Sequence, residues 1–241
     1  MSGRLIGAGV VVLLLGVGIV RVEVAAGDPL VEGRHAPARA AAGSVEGTVR
    51  LDIATEAAPP MLSPYARRRY RPPSAAPAAG SSPRDVVVYV LTDRQSPPER
   101  NSGFTITQRD RTIIPYVAAV PVGTSVRFPN EDDVFHNLFS LSGPHPFNLG
   151  RYAPGESKSE TFSKPGVVHL FCDIHSEMSG VILVLDTPHI ARPDELGRYR
   201  ISGLPEGRHR LIAWHESAGA DTIAITVRAG GVAQANFRLP S

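Results

Sequence analysis

The feature that most limits the fold of this chain is its punctuation. From residue 85 onward, apolar or alternating stretches of strand length follow one another, and each is broken within a few residues by glycine or proline. Val86-Val87-Val88-Tyr89-Val90-Leu91 is one such run, and Phe104 to Gln108, Ile113 to Val120 and Val122 to Phe128 follow it. Asn137 to Leu141, Ser157 to Phe162, Val167 to Cys172 and Val181 to Leu185 continue the series. In Thr124-Ser125-Val126-Arg127-Phe128 the period of two sets Val126 and Phe128 on one face and Ser125 and Arg127 on the other. Strands at this spacing, with turn residues between them, predict a β-sandwich. The 22 prolines and 23 glycines favour short strands over long helices, and no helix is predicted.

The chain divides by texture. Residues 1–26 read as an export segment: Arg4, an uncharged apolar stretch from Leu5 to Val20, then Val24-Ala25-Ala26 as a small-residue cleavage site. The stretch is shorter than the roughly 20 residues a membrane span needs. Arg21 and Glu23 interrupt the cleavage region, so an uncleaved anchor stays open as the alternative. Both readings place the rest outside the cytoplasm, in the periplasm or on the outer face of the cytoplasmic membrane. Residues 27–43 read as a linker. Residues 44–84 hold one alternating strand, at 44–51, and then a Pro- and Ala-rich loop with the basic run Arg67-Arg68-Arg69-Tyr70-Arg71. Residues 85–187 form the main β-rich block, and 188–241 a second, smaller one with strands at 208–214, 221–228 and 232–239. That tail is short for an independent core. The strand at 44–51, and with it 86–91, is a candidate to complete it, with the main block inserted between. A net charge of +2 points to neither nucleic acid nor an acidic tail.

Cys172 is the chain's one cysteine and opens Cys172-Asp173-Ile174-His175-Ser176-Glu177-Met178. It cannot form a disulfide within the chain, although export permits one. A thiolate, an imidazole and a thioether recur there at three-residue intervals, on a short loop between two predicted strands. Upstream, His136 closes Asn130-Glu131-Asp132-Asp133-Val134-Phe135-His136-Asn137. Two His, one Cys and one Met are the donors of a mononuclear blue-copper site, a trigonal His₂Cys set with a weak axial thioether. Taken singly, each residue has a structural reading: a lone Cys is usually a small buried hydrophobe.

Other chemistries fit less well. Zinc prefers N and S donors in a tetrahedron and leaves Met178 without a role. A dinuclear copper centre needs two cysteines, and covalent haem needs Cys-x-x-Cys-His. No two of the eight histidines lie two residues apart, against a second, substrate-binding copper. A Cys–His nucleophile pair leaves Met178 unused. Strand parity sets Cys172 with Leu170 and Val168 on the core face, and His169 on the other, away from the metal.

Residues 103–187 resemble the cupredoxins, the plastocyanin- and amicyanin-like blue-copper proteins. The resemblance lies in Val122 to Asn130, His136-Asn137, and Pro165-Gly166 leading to Cys172, His175 and Met178, with the short amicyanin-type loop. The wider text is similar to exported plastocyanin-like proteins associated with methylamine utilisation. Gly203-Leu204-Pro205-Glu206-Gly207 and Ala213-Trp214-His215 resemble the carboxypeptidase regulatory-like, transthyretin-like sandwich.

The resemblance implies an all-β chain, a cupredoxin Greek-key β-sandwich plus a second small transthyretin-like β-sandwich. It implies one copper ion cycling between Cu(I) and Cu(II), held by His136, Cys172 and His175 in a plane with Met178 axial, and no enzymatic activity. Asn137 is expected to tie the two ligand loops by hydrogen bonds. Glu131, Asp132, Asp133, Asp173 and Glu177 form an acidic rim, read equally as solvated surface or as a docking site for a cationic redox partner. A c-type cytochrome or a periplasmic dehydrogenase fits that description. A copper carrier and a metal-free interaction module are the alternative functions.

Overall fold

The computed structural model describes residues 41–52, 82–92 and 103–240. The export segment at 1–26, residues 27–40 of the linker and the basic run at 67–71 lie outside these. No helix among the described residues is long and apolar enough to cross a membrane. Apart from one 3-10 turn, Pro83–Asp85, the regular structure described is strand throughout.

In chain order the strands are β1 (Gly43–Asp52), β2 (Val87–Leu91), β3 (Phe104–Thr105), β4 (Thr107–Arg109), β5 (Thr112–Ile114) and β6 (Val117–Pro121). Then come β7 (Thr124–Pro129), β8 (Leu138–Ser140), β9 (Phe147–Asn148), β10 (Ser157–Phe162), β11 (Gly166–Cys172) and β12 (Ser179–Leu185). The last are β13 (Ile190–Ala191), β14 (Arg198–Leu204), β15 (Gly207–His215), β16 (Gly219–Val227), β17 (Val232–Gln234) and β18 (Phe237–Pro240).

They build two sandwiches. The first pairs the sheet β10-β7-β3 with the sheet β6-β12-β11-β8-β9. Val126, Phe128, Phe162, Leu138, Leu170 and Ile182 fill the space between them. The alternation read in 124–128 holds: Val126 and Phe128 are fully buried while Ser125 and Arg127 are exposed. The second sandwich packs β14, β1, β17 and β18 against the sheet β13-β2-β15-β16. Its core is Val45, Val49, Val88, Leu204, Leu211, Phe237 and Leu239, with their neighbours.

Two early strands belong to the late sandwich. β1 runs antiparallel to β14 and parallel to β17 and β18, so it is the strand around which that sheet assembles. β2, which the division at residue 85 placed with the first block, hydrogen-bonds along Val87–Leu91 to β15 and at Val88 and Tyr89 to β13. The first sandwich is therefore an insertion between β2 and β13. The physical reason is area: the tail strands need two more to enclose a core. β1 also passes very close to the chain at Ala235. A Cβ on Gly47 would lie 1.6 Å from the Ala235 carbonyl oxygen, so only glycine fits there.

The buried runs Val86–Val90 and Val181–Leu185 have a common explanation. In β2, Val88 and Val90 face the second core, while Val87 and Tyr89 face outward. In β12, Ile182 and Val184 face the first core, while Leu183 and Leu185 face outward. These outward residues meet one another, joined by Val117, Val167 and Trp214, in a third apolar cluster between the sandwiches. Beside it, Tyr116 Oη donates to Glu216 Oε2 at 2.7 Å, and His169 Nδ1 lies 3.4 Å from Glu216 Oε1. His169 therefore turns away from Cys172, as strand parity requires, and reaches the second sandwich instead.

Candidate metal centre

The site forms at one end of the first sandwich. β11 alternates Val168, Leu170 and Cys172 into the core and ends there, so the thiol is delivered to the rim of the apolar interior. β8 pairs Leu138 with Cys172, which sets His136 beside the end of β11. The main chain of His136 is held on both sides by Tyr152, through reciprocal N–H to carbonyl bonds of 3.2 and 3.0 Å.

The loop 173–178 is closed by its own backbone. Cys172 N–H donates to the Met178 carbonyl at 3.2 Å, and Met178 N–H to the His175 carbonyl at 3.0 Å. Asp173 N–H donates to the Asn137 carbonyl at 3.0 Å and ties this loop to the one bearing His136. The expected tie at Asn137 is thus made by its main chain. Its side-chain Oδ1 is buried without a partner among the described residues. The loops approach closely enough for main-chain pairing, which leaves the amide no donor to meet.

Three donor atoms converge. Cys172 Sγ lies 3.8 Å from His136 Nδ1 and 3.9 Å from His175 Nδ1, and the two imidazole nitrogens are 3.2 Å apart. These three residues form the one group of potential metal-binding side chains found among the described residues. Met178 is 1% exposed and packs in the same apolar core as Cys172. Cys172 and His136 are equally buried, whereas His175 is half-buried and forms the solvent side of the group.

The donors fit a first-row transition metal. With metal–nitrogen bonds of about 2.0 Å and a metal–sulfur bond of about 2.3 Å, a planar set of three has edges of roughly 3.5 Å between nitrogens and roughly 3.7 Å from nitrogen to sulfur. The observed edges match that triangle to within a few tenths of an ångström. The nitrogens are also in the right state. His136 Nε2 lies 2.7 Å from Asp132 Oδ2, and a carboxylate accepts only from N–H, so in the neutral ring the Nδ1 lone pair faces the thiol. Burial lowers the pKa of His175 below the ordinary imidazole value. The nearby His136 and Arg111 charges act the same way, opposed by Glu177 and Asp132, and the ring is kept available as a neutral donor.

The acidic rim is smaller than the sequence suggests. Asp132 is not part of it: its side chain is 8% exposed and its oxygens are occupied by His136 and by the backbone N–H groups of Asp110 and Arg111. Burial pushes its carboxyl up, but the hydrogen bonds from His136, Arg111 and Asp110 outweigh that and hold it below the ordinary carboxylate value. Glu131 is exposed but ion-paired to Arg109. Asp133, Asp173 and Glu177 remain on the surface. Sequence reading also missed Asn130, whose Oδ1 accepts from Asp132 N–H at 3.0 Å and whose Nδ2 donates to the Val134 carbonyl at 2.8 Å. An Asn followed by acidic residues at the mouth of a loop is the signal that could have found it.

No family model matches this chain, and no curated protein does. Among solved structures it is similar to a purple cupredoxin from Nitrosopumilus maritimus, at 24% identity over 34% of this chain and 99% of that one, with a TM-score of 0.32. It is similar to a Cu-containing nitrite reductase from Thermus scotoductus SA-01, at 30% identity over 40% of this chain, with a TM-score of 0.34; the match spans 25% of that reductase. A reduced amicyanin variant matches at 19% identity over 40% of this chain and 99% of that one, with a TM-score of 0.33.

Proposed function

We propose that this is an exported electron-transfer protein that holds one copper ion through His136, Cys172 and His175, with Met178 as a weak axial donor. The observation that carries the reading is the triangle of Nδ1, Sγ and Nδ1 atoms with edges of 3.2 to 3.9 Å, at the end of an apolar core. Bound copper supplies a one-electron couple at such a site. The chain's own part is to keep the donors fixed. The thiol sits on a paired strand, His136 is pinned by Tyr152, and the ligand loop is closed by two main-chain bonds and tied to the His136 loop by a third. That rigidity suits a metal whose two oxidation states must share one set of donors. The half-buried His175 is the natural point of electron exchange, and no substrate is transformed. Asp133, Asp173 and Glu177 favour a cationic partner of the kind of a basic c-type cytochrome or a periplasmic dehydrogenase, with an association rate that falls as salt rises.

The test is a visible absorption spectrum of the full chain after one equivalent of Cu(II), followed by voltammetry. An intense band near ~600 nm, lost in Cys172→Ser, together with a reversible one-electron wave, is the expected result. A band without a reversible wave, with rapid Cu(I) transfer to an acceptor, would convert the reading to a copper carrier. No bound copper would leave a β-sandwich interaction module.

A further inference from the structure

Asp132 does more than neutralise a neighbour. Its Oδ2 lies 2.7 Å from His136 Nε2 and accepts from Arg111 N–H at 3.0 Å, while its Oδ1 accepts from Asp110 N–H at 2.5 Å. The two backbone donors belong to the tip of the β4–β5 hairpin, where Arg109 pairs with Thr112. Both tip residues have left-handed backbones, Asp110 at φ 53° and Arg111 at φ 52°. That is the two-residue hairpin conformation that usually selects Asn-Gly. An arginine held there is strained, because its Cβ crowds the following carbonyl oxygen. The conformation turns two successive N–H groups toward one carboxylate. Asn130 completes the hold, accepting from Asp132 N–H.

We propose that Asp132, clamped by the β4–β5 hairpin tip, is the positioning residue that fixes His136 as its Nε2–H tautomer and so aims the Nδ1 lone pair at Cys172 and His175. An imidazole without a partner at Nε2 would share its proton between the two nitrogens, and part of the population would present N–H to the thiol. A ring N–H given to a carboxylate removes that population and raises the basicity of the opposite nitrogen. Here the carboxylate comes from the ligand's own loop, four residues before the histidine. It is buffered against movement by a separate hairpin. The clamp thus links the geometry of the site to a turn that touches no donor atom.

The inference rests on the copper reading for its purpose but not for its test. The first measurement is the ring ¹⁵N spectrum of His136 in the metal-free full-length protein. Wild type is expected as the Nε2–H form alone, and Asp132→Ala as a mixture with the Nδ1–H form. An unchanged single tautomer in Asp132→Ala would overturn the proposal. Asp132→Leu, which is close in size and offers no acceptor, carries the same test if the alanine variant does not fold. The second measurement is Cu(II) affinity, expected to fall about 10- to 100-fold in either variant, with the thiolate band shifted. If wild type binds no copper, the copper reading falls while the tautomer result still decides this one.

Discussion

Both sandwiches bury histidine, and only the first makes a site of it. In the second, His209 Nε2 donates to the Pro205 carbonyl at 2.7 Å, and His215 Nδ1 accepts from Ala218 N–H at 3.2 Å. Those partners are main-chain groups within four residues. In the first, one nitrogen of His136 is given to the nearby Asp132, and the other faces a thiol and a second imidazole that are 36 and 39 residues away in sequence. Where local backbone holds one nitrogen and no further donor group is brought to the other, as at His209, the ring is structural. Where one nitrogen is aimed at soft, distant donors, the ring is part of a site.

If the two sandwiches are as separate in energetics as in chemistry, a lesion in one should leave the other readable. The largest effect is expected from Gly47→Ala. Its Cβ would meet the Ala235 carbonyl at 1.6 Å, and the strand at the centre of the second sandwich would have to move, at a cost of about 3 kcal/mol or more. Trp214 fluorescence should report loss of the second sandwich at a temperature where the Cu–thiolate band persists. Simultaneous loss would mean that the apolar cluster between the sandwiches makes them one cooperative unit.

Met178→Ala sharpens the comparison from the other side. It empties a fully buried position beside Cys172 and should lower the stability of the metal-free protein by about 2–4 kcal/mol in denaturant melts. Trp214 fluorescence is expected to change later than a probe in the first sandwich. A cost near zero would mean that Met178 contributes nothing to the first core.

Glu216→Gln tests the polar link between the sandwiches and should cost about 1 kcal/mol near neutral pH. Burial raises the Glu216 carboxyl, but hydrogen bonds from His169 and Tyr116 and the charges of His169 and His215 bring it below its ordinary value of 4.5. Its contribution to stability is therefore complete above about 4.5 and is lost as pH falls through the lower folded-state value. Melting temperatures of the two proteins should converge in acid. A constant gap across that range would show that the carboxylate charge is not what matters.

The smallest effect is expected from Arg109→Ala. Its ion pair with Glu131 is largely exposed and should be worth about 0.5 kcal/mol or less. A measured loss of several-fold in copper affinity would instead show that the hairpin depends on this pair to hold Asp132.

The strands themselves were legible because their signal is local. The alternation in 124–128 and the parity of Val168, Leu170 and Cys172 are properties of adjacent residues on a pleated chain. The approach of Cys172 to His175 was legible from a loop too short to separate its ends, while His136, 36 residues upstream, was expected there from donor chemistry, the predicted sandwich and the resemblance to the cupredoxins. Asp132 was misread as rim because a charge beside other charges looks solvated, and its partners at Asp110 and Arg111 are backbone atoms of a distant hairpin. β2 was read both as part of the 85–187 block and as a candidate for the tail, because Val86–Leu91 is apolar on both faces, and such a run does not say which two layers cover it.

The residue sequence alone therefore determined that this chain is all-β, that one thiol, a thioether and two imidazoles are its candidate donors, and which face of β11 carries the sulfur. These follow from side-chain chemistry and a period of two, which need no knowledge of distant neighbours. Only the tertiary structure decided that the first sandwich is inserted into the second, that Leu183 and Leu185 meet Val87 and Tyr89, and that Asp132 meets the Nε2 of His136. Those depend on long-range pairing and on main-chain donors, which every residue but proline offers and no side chain announces.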